Sequence, residues 1–418
     1  MARKFDIPNF YKSEITARIK QGRRLVDPKK KDLSPSILDF DSVRFVFARH
    51  FGFCYGVENA IEIVYKTLEE HPDKRIFLLS EMIHNPNVNT DLQSRGIRFI
   101  HTTLGEQLIP WDELTPDDLV VVPAFGTTVE IKEMLTRRGI DFCTYDTTCP
   151  FVEKVWTRGG QIGQQGFTVV IHGKPRHEET RATFSHSIQQ APTVVVRNRE
   201  ETLLLADIIT GRSTRDRFFE VFGENCSKGF DPDIHLNRVG VINQTTMLAS
   251  ETHEIARLIR EALEVRHGTE LISDHFADTS DTLCYASNEN QNATYAMIDK
   301  GADVALVVGG YNSSNTSHLV ELCGETISTF FINSSKDILS DRQIRHFDLE
   351  SKSILATIDW LPAARPVDII LTCGASCPDI MLDNVLLRIL SFFPDAPPVA
   401  EVLAEYENTV RKPVVAES

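Results

Sequence analysis

No stretch of this 418-residue chain approaches the roughly 18–20 consecutive apolar residues of a membrane span, and no charged segment followed by an apolar core opens it. The expectation is a cytoplasmic protein whose thiols stay reduced, so that eight cysteines read as metal ligands, catalytic groups or buried residues. Positive charge is in deficit: 44 Lys and Arg stand against 59 Asp and Glu, a net charge of −15, which excludes nucleic acid as a general partner. There is no G-x-G-x-x-G after a strand and no Walker lysine, so nothing marks a nucleotide site. Closely spaced cysteine pairs are also missing, apart from Cys373 and Cys377, which argues against a structural zinc site.

What the chain does have is three cysteines in one kind of setting. Cys54 lies in "FVFARHFGFCYGVENAIEIV", Cys149 in "CTYDTTCPFVEKVW" and Cys284 in "HFADTSDTLCYASNENQNATYAMI". Each context gives an extended or polar approach, a turn, then Cys at the start of a helical pattern. A helix N-terminus favours the thiolate, the form that binds metal, and lowers the thiol pKa. An odd number of such residues is no simple disulfide set. Three thiolates around a four-iron cluster would leave one iron open for chemistry.

From about Phe45 onward, aliphatic and β-branched runs alternate with helical patterns. Strands are expected at 43–48, 76–79, 119–122, 168–172, 193–196, 239–242, 304–308, 329–332 and 369–372. Helices are expected at 56–71, 129–138, 151–164, 247–267, 291–300, 314–323 and 378–392. Continuous apolar runs such as "LVVVP" and "VALVVGG" suit parallel strands buried on both faces. The class is therefore α/β. A coarse repeat runs through it: each third gives a Cys-bearing turn and helix, then two strands ending in polar or Gly-containing loops. Loops at the carboxyl ends of strands are where open α/β sheets bind ligands. The expected units are 43–148, 149–272 and 273–390, with surplus polar residues around 211–238. A basic N-terminal extension (1–42) precedes them and a tail (391–418) follows. The extension carries ten Lys and Arg before Ser34–Pro35–Ser36 and reads as solvated, or as a docking arm for an acidic protein.

The loops hold short polar donors: His84 and Asn85, His172 and His177, Gln244 to Thr246, Asn312 to Asn315, and Gly374 to Ser376. "NSSN" stands before a helical pattern, where Ser and Asn cap while amides face an anion. "GASCPD" follows the same logic, with Pro378 suited to the first helical position. Taken singly, each is an ordinary cap or structural histidine; recurrence at matching strand ends gives a phosphate pocket. Glu178 and Glu179 follow His177, and a carboxyl enclosed in such a pocket keeps a proton to deliver. Cys143, Cys226, Cys323, Cys373 and Cys377 read as other thiols, Cys377 as a loop residue.

"GFCYGV", "EMIHNP", "DTTCPFVEKV", "IHGKPRHEET", "NQTTM", "VVGGYNSSNTSHL" and "GASCPD", in this order over residues 43–390, resemble the 4-hydroxy-3-methylbut-2-enyl diphosphate reductase (LytB/IspH) family. "PAFGTT" and "FDPDIHLNRVGVINQTTM" are similar to its longer cyanobacterial and plastid branch. "SNENQNAT" after Cys284 matches neither branch's wording closely. The resemblance implies three α/β domains in a pseudo-threefold trefoil around one 4Fe–4S cluster. Cys54, Cys149 and Cys284 match its ligands. His84, His177, Ser313, Ser314, Asn315 and Ser376 match the diphosphate binders. Glu179 matches the proton-relay acid and Thr245 the hydroxyl beside it. Phe125 stands where the better-known bacterial form has a third diphosphate-binding histidine, with Thr127, Thr128 and Lys174 as candidate replacements.

The implied reaction is reductive dehydroxylation to isopentenyl and dimethylallyl diphosphate, the last step of the non-mevalonate isoprenoid route. The implied partners are the diphosphate substrate and a ferredoxin or flavodoxin as electron donor, with a monomer or homodimer as the assembly. The setting is the plastid stroma if the source is a photosynthetic eukaryote. Two other classes remain open from the residues: a non-redox cluster hydro-lyase, which needs no reductant, and a cluster-based sensor, which needs an output domain that nothing in the chain resembles.

Overall fold

The computed structural model describes residues 5–277 and 282–411. The chain divides into two compact units, one of Met1–Glu58, His84–Asn87 and Asn288–Ser418, the other of Asn59–Ile83 and Val88–Ser287. Among the described residues the strands are β1 (Ser36–Asp39), β2 (Val43–Phe47), β3 (Ile76–Leu78), β4 (Arg98–Phe99), β5 (Leu119–Val121), β6 (Thr168–His172), β7 (Thr193–Val196), β8 (Val239–Asn243), β9 (Phe276–Ala277), β10 (Val304–Val308), β11 (Thr329–Ile332), β12 (Gln343–Asp348), β13 (Ser353–Ile358) and β14 (Val367–Cys373). The first unit holds one sheet of order β1-β2-β14-β10-β11-β12-β13. The second holds two, β4-β3-β5 and β7-β6-β8-β9.

A single pattern underlies all three sheets. The first strand after each cysteine-led helix is central: β3, β6 or β10. The next strand lies parallel on one side (β4, β7, β11), and a third parallel strand lies on the other (β5, β8 and, after the inserted β12 and β13, β14). The segment leading into each cysteine then pairs, again in parallel, with a strand of that third kind. β2 runs beside β14, β9 runs beside β8, and Asp146 bridges to Val122 just past β5. β2 therefore lies in the sheet of β10 and β14, although it opens the first expected third. The approach to Cys149 is a single bridge rather than a strand. β6, β8 and β10 are buried at every position, which is why they read as unbroken apolar runs.

The N-terminal segment departs from the solvated extension expected. Residues Ile15–Val26 form a helix whose Ile15, Thr16, Ile19 and Gly22 are buried, an i, i+4, i+7 stripe that the surrounding positive charge hides in the sequence. It packs against a second unforeseen helix, Val399–Arg411, within the expected tail. Gly22 leaves room for Tyr406, whose Cε1 would lie 3.3 Å from an added Cβ. β1 adds antiparallel to β2, and Ser36 Oγ meets the Tyr406 hydroxyl at 2.9 Å. Several of the basic side chains serve this packing: Arg18 pairs with Glu407 (2.6 Å), and Lys20 pairs with Asp379 (2.6 Å) while lying over the Phe51 ring. Two further unforeseen strands, β12 and β13, form a hairpin with an almost wholly exposed outer strand that carries no inside–outside alternation; the short β4 and β9 were not expected either. The polar surplus around residues 211–238 folds too, burying Phe218, Phe222 and Phe230.

The helix Ile15–Val26 has a local side-chain cap in Ser13, whose hydroxyl accepts from the Thr16 (2.8 Å) and Ala17 (3.3 Å) amides. Asp383, far along the chain and 3% exposed, adds a second: its carboxylate accepts from the Ser13 hydroxyl (2.6 Å) and the amides of Glu14 (3.0 Å), Ile15 (2.9 Å) and Thr16 (3.1 Å). A charged acceptor serving several buried donors sits at the upper end of capping energies. Asp383→Ala is expected to cost about 2–4 kcal/mol, and Asp383→Asn less, read from the urea midpoint of the first unfolding transition.

Candidate active site

In the first unit, the residues singled out in the sequence form one knot of loops. The helix Tyr55–Glu70 starts directly after Cys54, the Cys54 carbonyl accepts the Glu58 N–H (2.9 Å), and the Cys54 N–H donates to the Ala375 carbonyl (3.2 Å). Ser313 caps the helix Ser314–Gly324, accepting from the Thr316 amide (3.3 Å) and hydroxyl (2.9 Å). The Ser376 hydroxyl donates to the His84 carbonyl (3.2 Å) and lies 3.4 Å from Ser313 Oγ. Asn315 Oδ1 accepts the Ala375 N–H (2.8 Å). His84, Ser313, Ser314, Asn315 and Ser376 are all at least nine-tenths buried. Asn315 Nδ2 is buried without a hydrogen-bond partner among the described residues, a donor held in reserve at a helix N-terminus. Pro378 is one residue earlier than expected, at the cap of Asp379–Leu390.

In the second unit, Cys149 occupies the N-cap position of the helix Pro150–Gln164, and the helix Tyr285–Lys300 begins directly after Cys284. The Cys284 N–H donates to the Thr245 carbonyl (3.3 Å), and the Thr245 N–H donates to Glu179 Oε1. Glu179 is 1% exposed. Burial pushes its carboxyl up to about 7, although the Thr245 amide and hydroxyl hydrogen bonds oppose the rise. Burial likewise pushes Glu178 up to about 8, against a hydrogen bond from Ser80 and the nearby Arg181 charge. His177 caps the helix Glu178–Ser187, its Nδ1 accepting the Glu179 N–H (3.2 Å). Phe125 packs edge-on against His177, ring centroids 5.7 Å apart. Of the candidates to replace a donor there, Thr128 is engaged as the cap of Val129–Arg137 and Lys174 is exposed.

The cysteines correct one expectation. Helix amides do lower the thiol pKa of Cys149 and Cys284, as the sequence suggests, but burial outweighs them. It pushes Cys149 up to about 12, with the charges of Cys284 and Glu179 adding to the rise, and raises Cys284 in the same way. A helix end is worth about 0.3–1 kcal/mol, whereas each pKa unit of burial costs about 1.4 kcal/mol. The couplings put both sulfurs and the Glu179 carboxyl within electrostatic reach of one another. None of the eight cysteines forms a disulfide. Two unbridged sulfurs at helix starts, Cys284 buried and Cys149 half-buried, suit the sulfur-rich donor set of an iron–sulfur group. Among the described residues no group of three or more His, Cys, Asp and Glu side chains is placed to hold one metal ion. Cys377 is buried in the loop after β14, its thiol raised by a hydrogen bond with Cys373 and by burial.

A sequence profile described as "LytB protein" matches residues 45–390. The chain belongs to the LytB family. It is 40% identical over 345 residues to a 4-hydroxy-3-methylbut-2-enyl diphosphate reductase of Synechococcus sp. (strain CC9311), covering 82% of this chain and 84% of that protein. It is 39% identical to the protein of the same name from Gloeobacter violaceus, covering 82% and 81%. These cyanobacterial relatives agree with the branch that the wording of the motifs resembles. A solved structure of the E-1-hydroxy-2-methyl-but-2-enyl-4-diphosphate reductase from Plasmodium falciparum is similar in fold, with a TM-score of 0.59 at 20% identity over 85% of this chain and 90% of that one. The profile starts within β2 and stops at the end of the helix Asp379–Leu390. The packed helices Ile15–Val26 and Val399–Arg411 thus lie outside the LytB match.

Two further residues shape the site of this LytB chain: Gln244, read in the sequence only as one loop donor among several, and Gly310, which was not among the expected site residues. Gln244, fully buried, joins the strand ends around Glu179: Oε1 accepts from the Lys174 amide (3.1 Å) and the Thr180 hydroxyl (3.0 Å), while Nε2 donates to Thr246 Oγ1 (2.8 Å). Gly310 lies against the His84 backbone, where an added Cβ would stand 2.3 Å from the carbonyl oxygen. The Gly309–Gly310 pair closing "VALVVGG" was its only trace in the sequence. Gly310→Ala must displace either the His84 loop or the Ser313 cap. It is expected to lower kcat/KM at least tenfold, since misplacement by an ångström can cost about 100-fold, with the unfolding midpoint of the chain little changed.

Proposed function

We propose that this chain reduces (E)-4-hydroxy-3-methylbut-2-enyl diphosphate to isopentenyl and dimethylallyl diphosphate. The balance is one allylic C–O bond broken, two electrons and two protons taken up, and one water released. The observation that carries the proposal is Glu179, a fully enclosed carboxyl tied to Thr245 and within electrostatic reach of Cys149 and Cys284. The names of the cyanobacterial relatives support the same substrate.

Cys54, Cys149 and Cys284 are the residues proposed to hold one 4Fe–4S cluster, which when bound supplies single electrons and a Lewis-acidic iron for the departing oxygen. His84, His177, Ser313, Ser314, Asn315 and Ser376 bind the diphosphate, whose charge suits a helix N-terminus and short hydroxyl and amide donors. Glu179 holds a proton at neutral pH because its charged form is poorly solvated, and gives it to the leaving hydroxyl. Thr245 keeps that carboxyl on one side of its loop. The repeated strand order is the basis for three lobes, one per cysteine, in the trefoil proposed for this chain. The assembly is a monomer or homodimer in the cytoplasm or plastid stroma. No helix among the described residues is long and apolar enough to cross a membrane.

Anaerobic purification with iron and sulfide analysis, then turnover with reduced viologen, tests the reaction. Cys54→Ser, Cys149→Ser and Cys284→Ser are each expected to abolish turnover with loss of iron. Glu179→Gln is expected to keep cluster and substrate binding while kcat falls about 100-fold or more. Full activity in Glu179→Gln sinks the acid assignment, and product formed without any reductant identifies a hydro-lyase instead.

The electron donor is a ferredoxin or flavodoxin, both acidic carriers. The exposed cations Arg24, in the last turn of the packed N-terminal helix, and Lys29 and Lys31, just after it, offer such a carrier a positive face on an acidic protein. Deleting this segment would remove a helix from the core, so the charges are reversed instead. Lys29→Glu with Lys31→Glu is expected to raise the apparent KM for reduced ferredoxin severalfold at low salt, with turnover on viologen unchanged. Equal KM values across salt remove this docking face.

A further inference from the structure

His177 occupies a position where Ser, Thr, Asp and Asn are the usual residues. It caps the helix Glu178–Ser187 with extended backbone (φ −70°, ψ 139°), and its ring does the work of a short side-chain oxygen. Nδ1 accepts an amide hydrogen at 3.2 Å. A ring nitrogen that accepts carries no proton of its own, so the neutral ring bears its hydrogen on Nε2. The edge-on Phe125 ring, at 85° to the imidazole, confines the ring plane from the side. Hydrogen bond and apolar wall together leave the imidazole one orientation.

The amide that His177 caps belongs to Glu179. That residue is therefore held at both ends: its N–H by His177 Nδ1, and its carboxyl by the Thr245 N–H. We propose that His177 is a positioning residue for Glu179 as well as a donor to the substrate. Nδ1 fixes the backbone of the acid and Nε2–H meets the diphosphate, so one ring couples anion recognition to acid placement. A ring that turned to follow the anion would pull on the Glu179 amide, and one that took a second proton at Nδ1 would lose the cap. The inference rests on the reading of Glu179 as the acid and His177 as a diphosphate ligand.

The two ring nitrogens can be separated by substitution. Asn places its amide near the position of Nδ1 and keeps the cap but not the distal donor; Gln reaches toward Nε2 and keeps the donor but not the cap. In the cluster-loaded enzyme, His177→Asn is expected to raise KM roughly tenfold or more with kcat within about threefold of wild type. His177→Gln is expected to lower kcat roughly tenfold or more with the smaller change in KM. Isotope-edited infrared spectra of ring-labelled histidine, wild type minus His177→Asn, are expected to show a neutral Nε2–H imidazole. An Nδ1–H ring or an imidazolium at neutral pH overturns the proposal, as do Asn and Gln variants that alter KM alone and to the same degree. If the wild-type enzyme fails to turn over the diphosphate, the functional reading falls, while the infrared result still decides the cap.

Discussion

The Glu179 carboxyl is enclosed, and among the described residues the bonds that hold it come from one partner, Thr245. Enclosure raises the cost of its charge, and the amide and hydroxyl of Thr245 lower that cost again; the balance leaves a group near neutrality that can hold a proton or give it up. Such a balance needs fixed geometry, because a carboxyl free to turn toward solvent would return to its ordinary range. The fixing is done by strand ends. β6 and β8 are adjacent and parallel, so the loops that leave them start side by side, and Gln244 ties one loop to the other through Lys174, Thr180 and Thr246. Gly173 lies in this contact, with room for no Cβ: one would come within 2.7 Å of Thr180 Oγ1.

The same use of strand ends recurs in the other unit, where the loops after β10 and β14 meet through Asn315, Ala375 and Ser376. Adjacent parallel strands give two loops with a common origin, and a helix starting from one of them supplies both cap and anion-facing amides. The three cysteines exploit the approach instead. Each follows a segment paired in parallel with the last strand of a three-strand group, so the hydrogen-bonded ladder fixes where the chain emerges before the cysteine is placed. Local sequence could not reveal that β2 would take its place beside β14, more than 300 residues away, because a buried apolar strand carries no label for its neighbour.

What was legible in the sequence had local causes. β6, β7, β10 and β11 fall on the expected residues, since continuous apolar runs bounded by polar turns have few other uses. The helix starts after Cys54 and Cys149 follow from apolar periodicity beginning directly behind a turn, and the Ser313 cap from the ordinary chemistry of serine; the helix after Cys284 starts at Tyr285, six residues before its periodic stretch at 291–300, because its first turns are polar. What escaped had distant causes. The helix Ile15–Val26 takes a second, charged cap from Asp383 beyond its local Ser13, and the space beside Gly22 matters only once Tyr406 has arrived. The expectation of low thiol pKa values failed for the same reason: a helix start is visible in sequence, whereas the burial that outweighs it comes from the rest of the fold.

Phe125 shows how a lost polar contact can change the work done by its neighbour. Where the resemblance places a third histidine, this chain has a ring with no donor, and the ring stands edge-on to His177. A histidine there would add a donor but also a second polar group competing for the orientation of the first. Phenylalanine gives up the donor and restricts the remaining imidazole to the plane in which Nδ1 meets the Glu179 amide. An aromatic edge contact is worth about 0.5–1.5 kcal/mol, comparable with a neutral hydrogen bond in water-exposed surroundings. The exchange is then close to even in stability. What differs is its effect: one fewer donor for the anion proposed to bind here, and a more tightly defined direction for the imidazole that remains.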